Sequence, residues 1–321
     1  MQNGYTVAVV GAGLVGERLV AELRRRDFPL KELRVLARSA RRAVLAGETF
    51  EVGEAEPDAF EGVDIAFFAG TEGEKGAAVQ LAPDAISRGA IVIDNGSDFR
   101  LDPEVPLVVP EVNAEVLEAH KGIIANPNCS TIQLVVTLAP IAREFGLKRV
   151  VVSTYQAVSG AGRSGVDALE NGWEDAFPRP ISGNAIPLIG GVGEDGYTTE
   201  EKKMKEESRK ILSLPDLPVF PTAVRIPVHT GHSESVYVET ERDVSLPEVL
   251  DVLRTAPGVS FSGDAADFPT PLEVAGEPGT YVGRVRVERN VISYWCVADN
   301  LLKGAATNAV QIAESLASVR V

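Results

Sequence analysis

Cysteine is scarce in this chain. Cys129 and Cys296 are its only two, too few for a disulfide framework, and reducing conditions fit that scarcity. Histidine is almost as rare, so His120, His229 and His232 are the only imidazoles to weigh for acid/base work. No apolar run approaches the roughly 20 residues of a membrane span. Met1-Gln2-Asn3-Gly4 leads at once into an apolar strand, with no basic n-region or cleavage site. A cytoplasmic protein without a membrane partner is expected. Basic stretches are also missing, and a formal charge of −15 argues against nucleic acid as the main partner. A local cluster of Arg and Lys inside that acidic shell still suits a small anionic substrate. There is no internal repeat and no low-complexity tract, and no metal is expected.

What is present is enough for two full cores: 321 residues, 45% hydrophobic and 24% charged. Apolar runs at 6–10, 33–37, 64–69, 90–94 and 122–125 alternate with helical stretches. Repeated βα units predict a parallel sheet covered on both faces. Longer strands follow at 149–156, 223–228, 233–241, 280–288 and 291–297, several alternating, as Arg284, Arg286 and Glu288 alternate with Val285 and Val287. These predict a mixed or antiparallel sheet with one covered face. The Pro- and Gly-rich stretch 177–196 reads as a long excursion, and 300–317 as a helix that returns to the first domain. The fold class is therefore α/β, with a Rossmann-type domain at 1–127, a second α+β domain at 128–299, and residues 300–321 rejoining the first.

Gly11-Ala12-Gly13-Leu14-Val15-Gly16 follows the first strand and opens an amphipathic helix, the context that gives a GxGxxG pattern meaning. Gly11 allows a tight turn, Gly13 lets backbone approach a pyrophosphate, and Gly16 permits close packing of helix on strand. Leu14 and Val15 offer backbone N–H groups beside them. The second strand ends in Ala37-Arg38-Ser39-Ala40-Arg41-Arg42 rather than in an acid, which suits the 2′-phosphate of NADP(H). A solvated basic turn is the competing reading.

Cys129 sits in Ala125-Asn126-Pro127-Asn128-Cys129-Ser130-Thr131, where an apolar run turns into a predicted helix. Asn128 is a good N-cap, and unpaired N–H groups of a first turn favour a thiolate. Cys129 reads as a nucleophile, with a buried structural cysteine as the alternative. His120 closes a surface helix (115–121) and is expected to be exposed. His229 and His232 share 225–235 with Arg225, a strand broken by a glycine turn, and spacing alone does not choose between them.

The whole chain, from the glycine loop to the terminal helix, resembles the aspartate-semialdehyde dehydrogenase family. The resemblance is carried by Asp94 to Arg100, Val108 to Asn113, Asn126 to Thr131, Gln156 to Gly162, Arg225 to Ser235, and Asp299-Asn300-Leu301 with Lys303-Gly304. It implies a glyceraldehyde-3-phosphate dehydrogenase-like architecture with a catalytic and dimerisation domain. It also implies that Cys129 is the nucleophile, His232 the acid/base and Gln156 the residue orienting the acyl group. Arg225 would hold the substrate carboxylate and Glu200 its amine. Arg100, Asn128 and Lys203 would contact phosphate, while Asn300 would join Gly11, Gly13, Leu14, Val15, Gly16, Arg38 and Ser39 at the cofactor. For Glu200 and Lys203, a surface i,i+3 salt bridge is the competing reading, since Glu201 and Lys202 beside them are equally charged.

The implied reaction is reversible reduction of L-4-aspartyl phosphate by NADPH to L-aspartate 4-semialdehyde and phosphate, through a thioester stabilised by backbone N–H groups at the helix start. It serves synthesis of lysine (through diaminopimelate), threonine and methionine, in a homodimer or tetramer. The glycine loop is one residue shorter than the family's G-A-T-G-x-V-G. A reductase of N-acetylglutamyl phosphate or malonyl-CoA would keep Cys129 and His232, whereas a non-catalytic NADP-binding paralogue would lose the nucleophile.

Overall fold

Six consecutive buried residues, Tyr5–Val10, form the first strand, β1, and no polar face interrupts them. Such a run belongs in the middle of a parallel sheet covered on both sides. In the computed structural model, which describes residues 4–70, 76–172, 176–264 and 266–319, that is where it lies; Met1-Gln2-Asn3, read above for a leader, falls outside these residues. The chain forms two compact units, residues 1–127 with 305–321, and residues 128–304.

In the first unit β1 is followed by the helix Leu14–Arg25, then β2 (Leu30–Ala37), β3 (Arg41–Leu45), β4 (Glu48–Glu54), β5 (Ile65–Phe68), the helix Ala77–Ser87, β6 (Ile91–Asp94) and β7 (Ile123–Ala125). The order is β3-β4-β2-β1-β5-β6-β7, parallel except for the β3–β4 hairpin. The strand order reverses at β1, so the glycine loop after it lies at the switch point where open α/β sheets take their ligands. The hairpin was not predicted. Its strands are mostly exposed, and its turn is Ala46-Gly47, with φ of 51° and 79°, a two-residue geometry that sequence signals best when Asn or Asp stands first. The terminal helix, Thr307–Val319, packs in this unit through Thr307 Oγ1 on Glu22 (2.8 Å), Arg26 on Glu314 and Asn308 Nδ2 on Asn126 Oδ1 (2.7 Å). The return starts at 305 rather than at Asn300, which is tied into the second unit.

The second unit opens with the helix Cys129–Phe145, then β8 (Arg149–Gln156), the helices Gly162–Asn171 and Thr199–Ile211, β9 (Val219–Arg225), β10 (His232–Glu239), the helix Leu246–Thr255, β11 (Val259–Phe261), β12 (Thr280–Glu288) and β13 (Val291–Ala298). The order β11-β12-β13-β10-β8-β9 is mixed, with β11–β12 and β8–β9 parallel. β9 starts and ends earlier than its sequence predicts, because at a sheet edge a strand can run through Pro221. Leu134, Leu138 and Ile141 of the first helix cover Val150, Val152, Val236, Val238 and Ile292 of the sheet. Each such side chain contributes roughly 1.5–3 kcal/mol by leaving water.

One group on this covered face works against it. Glu234 is fully buried, and burial outweighs the side-chain hydrogen bond of Gln133 and raises its pKa well above the ordinary value. A raised folded-state pKa gives stability that is full below the unfolded-state value of about 4.3 and is lost as pH rises towards the folded one. Glu234→Gln, which copies the neutral acid, should therefore raise Tm by several degrees at pH 8, at about 2–4 °C per kcal/mol, and by much less at pH 5. Thermal melts at the two pH values check this, and equal shifts would refute it.

Candidate active site

The first unit holds a dinucleotide-shaped loop. Gly11 has φ +116°, and a Cβ there would lie 2.6 Å from the Ala69 carbonyl oxygen; one at Gly16 would lie 1.7 Å from that of Gly11. Both positions need glycine. Gly13 caps the next helix without a side-chain hydrogen bond and has open space before it, and Leu14 and Val15 begin that helix, so a pyrophosphate fits at its N-terminus. Beside the loop is a cavity of about 440 Å³ lined by Gly11, Ala37, Arg38, Arg41, Glu54 and Gln80 among others. Arg38 and Ser39 are both exposed, Arg38 lining the cavity, whereas Arg42 turns to Glu51 (2.7 Å). Arg41 thus joins Arg38, a distinction the basic run alone does not make. Arg100 is also in this unit, buried, with Nε on Asn126 O (2.9 Å) and Nη2 on Asn95 O (2.7 Å).

In the second unit Cys129 is the first residue of its helix, and Asn128 is the N-cap. Asn128 Oδ1 accepts from Ser130 N–H (3.0 Å) and Thr131 N–H (3.3 Å). Two carboxylates of the Thr199–Ile211 helix grip Asn128 in turn: its Nδ2 donates to Glu200 Oε1 (3.0 Å) and its backbone N–H to Glu207 Oε2 (2.6 Å). Glu200 and Glu207 are two helical turns apart and both buried. Glu200 also accepts from Gln156 Nε2 (3.0 Å), which bonds Ser130 Oγ as well. Glu200, and not Glu201, therefore faces Asn128 and Gln156. Glu201 closes a capping box with Thr198, Lys202 pairs with Asp195 at 3.0 Å, and half-buried Lys203 lies one turn from Glu200.

Arg225 ends β9 beside Gln156. It is buried, with Nη1 on Ala157 O (2.6 Å), its guanidinium 5.9 Å from the Phe177 ring, and Nε without a partner among the described residues. Burial lowers its pKa, while the charges of Glu200 and Cys129 oppose that shift. His232 starts β10, is fully buried, and has Nδ1 accepting from Ala157 N–H at 3.1 Å. Burial and then the Arg225 charge hold its pKa well below the usual imidazole value. Two glycines let the backbone pack closely against the cluster: a Cβ at Gly160 would lie 2.7 Å from Arg225 Nη1 and 3.2 Å from His232 Nε2, and one at Gly304 would lie 2.9 Å from Cys129 Cβ.

The structure therefore gathers Cys129, Asn128, Gln156, Glu200, Arg225 and His232 in one unit. Asn300, expected at the cofactor, donates from Nδ2 to Ser159 Oγ (3.0 Å) and accepts at Oδ1 from Gly231 N–H (2.9 Å). His229 is exposed, 3.7 Å from Glu170. His120 follows a 3-10 turn, Ala114–Ala119, rather than closing an α-helix, and is half-buried because Nδ1 accepts from Gly122 N–H (3.1 Å). The first-turn N–H groups, expected to face an oxyanion, are largely engaged by Asn128. Sequence reading missed Glu207, although its i+7 spacing from Glu200 puts it on the same helix face.

Comparison with known proteins gives consistent findings. Residues 6–120 match the semialdehyde dehydrogenase NAD binding domain, and residues 138–303 the semialdehyde dehydrogenase dimerisation domain. The aspartate-semialdehyde dehydrogenases of Bacillus subtilis and Aquifex aeolicus are each 47% identical, over 98% of this chain and 98% of theirs. A crystal structure of aspartate semialdehyde dehydrogenase II from Vibrio cholerae, complexed with ASA, superposes with a TM-score of 0.92 at 43% identity, covering 98% of each chain. Among the described residues no helix is long and apolar enough to cross a membrane.

Proposed function

The chain belongs to the aspartate-semialdehyde dehydrogenase family, and on that premise we propose that it reduces L-4-aspartyl phosphate to L-aspartate 4-semialdehyde and phosphate with NADPH, reversibly, through a thioester on Cys129. The observation that carries this reading is the capped Cys129 helix start with Arg225 and Glu200 in the same buried cluster. A nucleophile, a guanidinium and a carboxylate together match an acyl group, a carboxylate and an amine on one small amino acid. Arg225, whose buried Nε has no hydrogen-bond partner among the described residues, holds the substrate carboxylate. Glu200 takes the amine, Gln156 is fixed by Glu200 and Ser130 beside the acyl group, and Lys203 attracts phosphate.

The Cys129 thiolate attacks the acyl carbon and displaces phosphate. A bound NADPH supplies the hydride that reduces the resulting thioester. Collapse of the thiohemiacetal releases the aldehyde and regenerates the thiolate. Arg38 and Arg41 at the cavity rim favour the 2′-phosphate of NADP(H) over a bare ribose hydroxyl. The protein works in the cytoplasm as a homo-oligomer, a dimer or a tetramer built from two such dimers. Exposed Phe220, Val151 and Tyr237 stand in one row across β9, β8 and β10, the kind of surface a second copy covers.

The test is initial NADPH formation from aspartate semialdehyde against phosphate concentration, at fixed ionic strength so that screening is not mistaken for binding. Saturable dependence on phosphate is expected, with arsenate substituting. A rate independent of phosphate, or one that requires coenzyme A, would remove the assignment in favour of an acyl-CoA reductase.

A further inference from the structure

A buried guanidinium that waits for a substrate has to be stabilised without being occupied. A resident carboxylate bonded to it would compete with the incoming one, whereas the face of an aromatic ring attracts the cation and leaves the N–H donors in the guanidinium plane to other partners. Phe177 supplies such a ring. The Arg225 guanidinium carbon stands over it, 5.9 Å from the centroid, while Nη1 donates to Ala157 O (2.6 Å) and Nε has no partner among the described residues. Glu200 adds its charge from nearby, but its Oε1 already accepts from Asn128 and Gln156.

The ring comes from the Pro- and Gly-rich excursion between the helices Gly162–Asn171 and Thr199–Ile211, and that segment is tied to Arg225 twice. Phe177 packs against a small cluster of Val158, Ala168, Ile181 and Ile186. A Cβ at Gly165 would lie 3.2 Å from Phe177 Cζ and 2.3 Å from the Val158 carbonyl oxygen, so glycine there lets the helix close on the ring. Nine residues after Phe177, Ile186 pairs with the main chain of Arg225 in both directions. Its N–H donates to Arg225 O and its O accepts from Arg225 N–H, each at 2.9 Å, as an antiparallel bridge beside the edge strand β9. The segment 177–186 thus fixes the backbone of Arg225 at one end and faces its side chain at the other.

We propose that Phe177 is a positioning residue of the substrate site, holding the Arg225 guanidinium so that its remaining donors meet the carboxylate of aspartate semialdehyde. This rests on the reading of Arg225 given above. Two physical effects support the role. Arg225 is buried, so water screens its attraction to the ring far less than at an exposed site. A guanidinium already held in one orientation also loses less freedom when the carboxylate arrives, and that saving appears as affinity. Phe177 acts through Arg225, so it bears on how tightly the carboxylate is held, and neither thioester formation nor hydride transfer depends on it.

The test compares Phe177→Leu, which keeps an apolar side chain but has no π face, with Phe177→Tyr, which keeps the ring, in the full-length enzyme. Phe177 is only half-buried, so neither change disturbs a fully buried core position. Phe177→Leu should raise KM for aspartate semialdehyde by roughly 3- to 30-fold, the range that a cation–π contact spans as it is desolvated, with kcat and the KM values for NADP and phosphate within about twofold of wild type. Phe177→Tyr should keep every constant within about twofold. An unchanged KM in Phe177→Leu would overturn the proposal. So would an equal rise in Phe177→Tyr, or a loss of kcat as large as the rise in KM, since both are marks of packing alone. If Arg225→Lys left KM for aspartate semialdehyde unmoved, the carboxylate reading of Arg225 would fall instead, and the role of Phe177 with it.

Discussion

Cys129→Ala is expected to lower turnover by at least about 10⁴-fold, the scale on which losing a nucleophile is felt in covalent catalysis. NADPH affinity should stay within a few fold, because the glycine loop belongs to the first unit and Cys129 to the second. Cys296→Ala provides the internal comparison. Cys296 is fully buried under the helix that Cys129 begins, and burial raises its thiol pKa well above the usual range, so it is inert as a nucleophile. Stopped-flow turnover and fluorescence titration of NADPH measure the two quantities. A Cys129→Ala enzyme with more than about a tenth of the wild-type rate would sink the covalent mechanism.

Arg225→Lys should lower kcat/KM for aspartate semialdehyde by roughly 10³-fold, about 4 kcal/mol, mostly through KM, since truncating a buried charged contact costs about 2–5 kcal/mol. A lysine carries the charge but not the planar fork, so it cannot keep the bond to Ala157 O and present a second donor to a carboxylate. KM for NADP should change far less. Steady-state kinetics with each substrate varied in turn decides the matter, and equal effects on both would place Arg225 outside the substrate pocket.

Features written into contiguous residues were legible before any coordinates. The glycine loop, the Asn128 cap, and the strands β8 and β12 each follow from a local pattern, and β8 and β12 were placed with their observed bounds. What escaped depends on contacts distant in the chain. The hydrogen bond on His232 Nδ1 comes from Ala157, the grip on Asn128 from Glu207, and the bonds of Asn300 from Ser159 and Gly231. The β3–β4 hairpin escaped for another reason: short exposed strands carry little apolar periodicity, and the residue opening the turn is alanine. The strain at Glu234 is likewise invisible in sequence, where a glutamate between two serines reads as a surface residue.

The hold that Glu200 and Glu207 have on Asn128 bears on how portable this reactive loop is. Asn-Pro-Asn-Cys looks like a cassette that could be grafted before any amphipathic helix. Its cap, however, is clamped by side chains 72 and 79 positions further along the chain, on another helix. Moved alone into a new scaffold, the loop would leave behind the acceptors for the Asn128 backbone and side-chain N–H groups, and the cysteine would lose the backbone geometry that aims it. An engineer building a thioester-forming enzyme would have to transplant the second helix with the first, as a discontinuous pair.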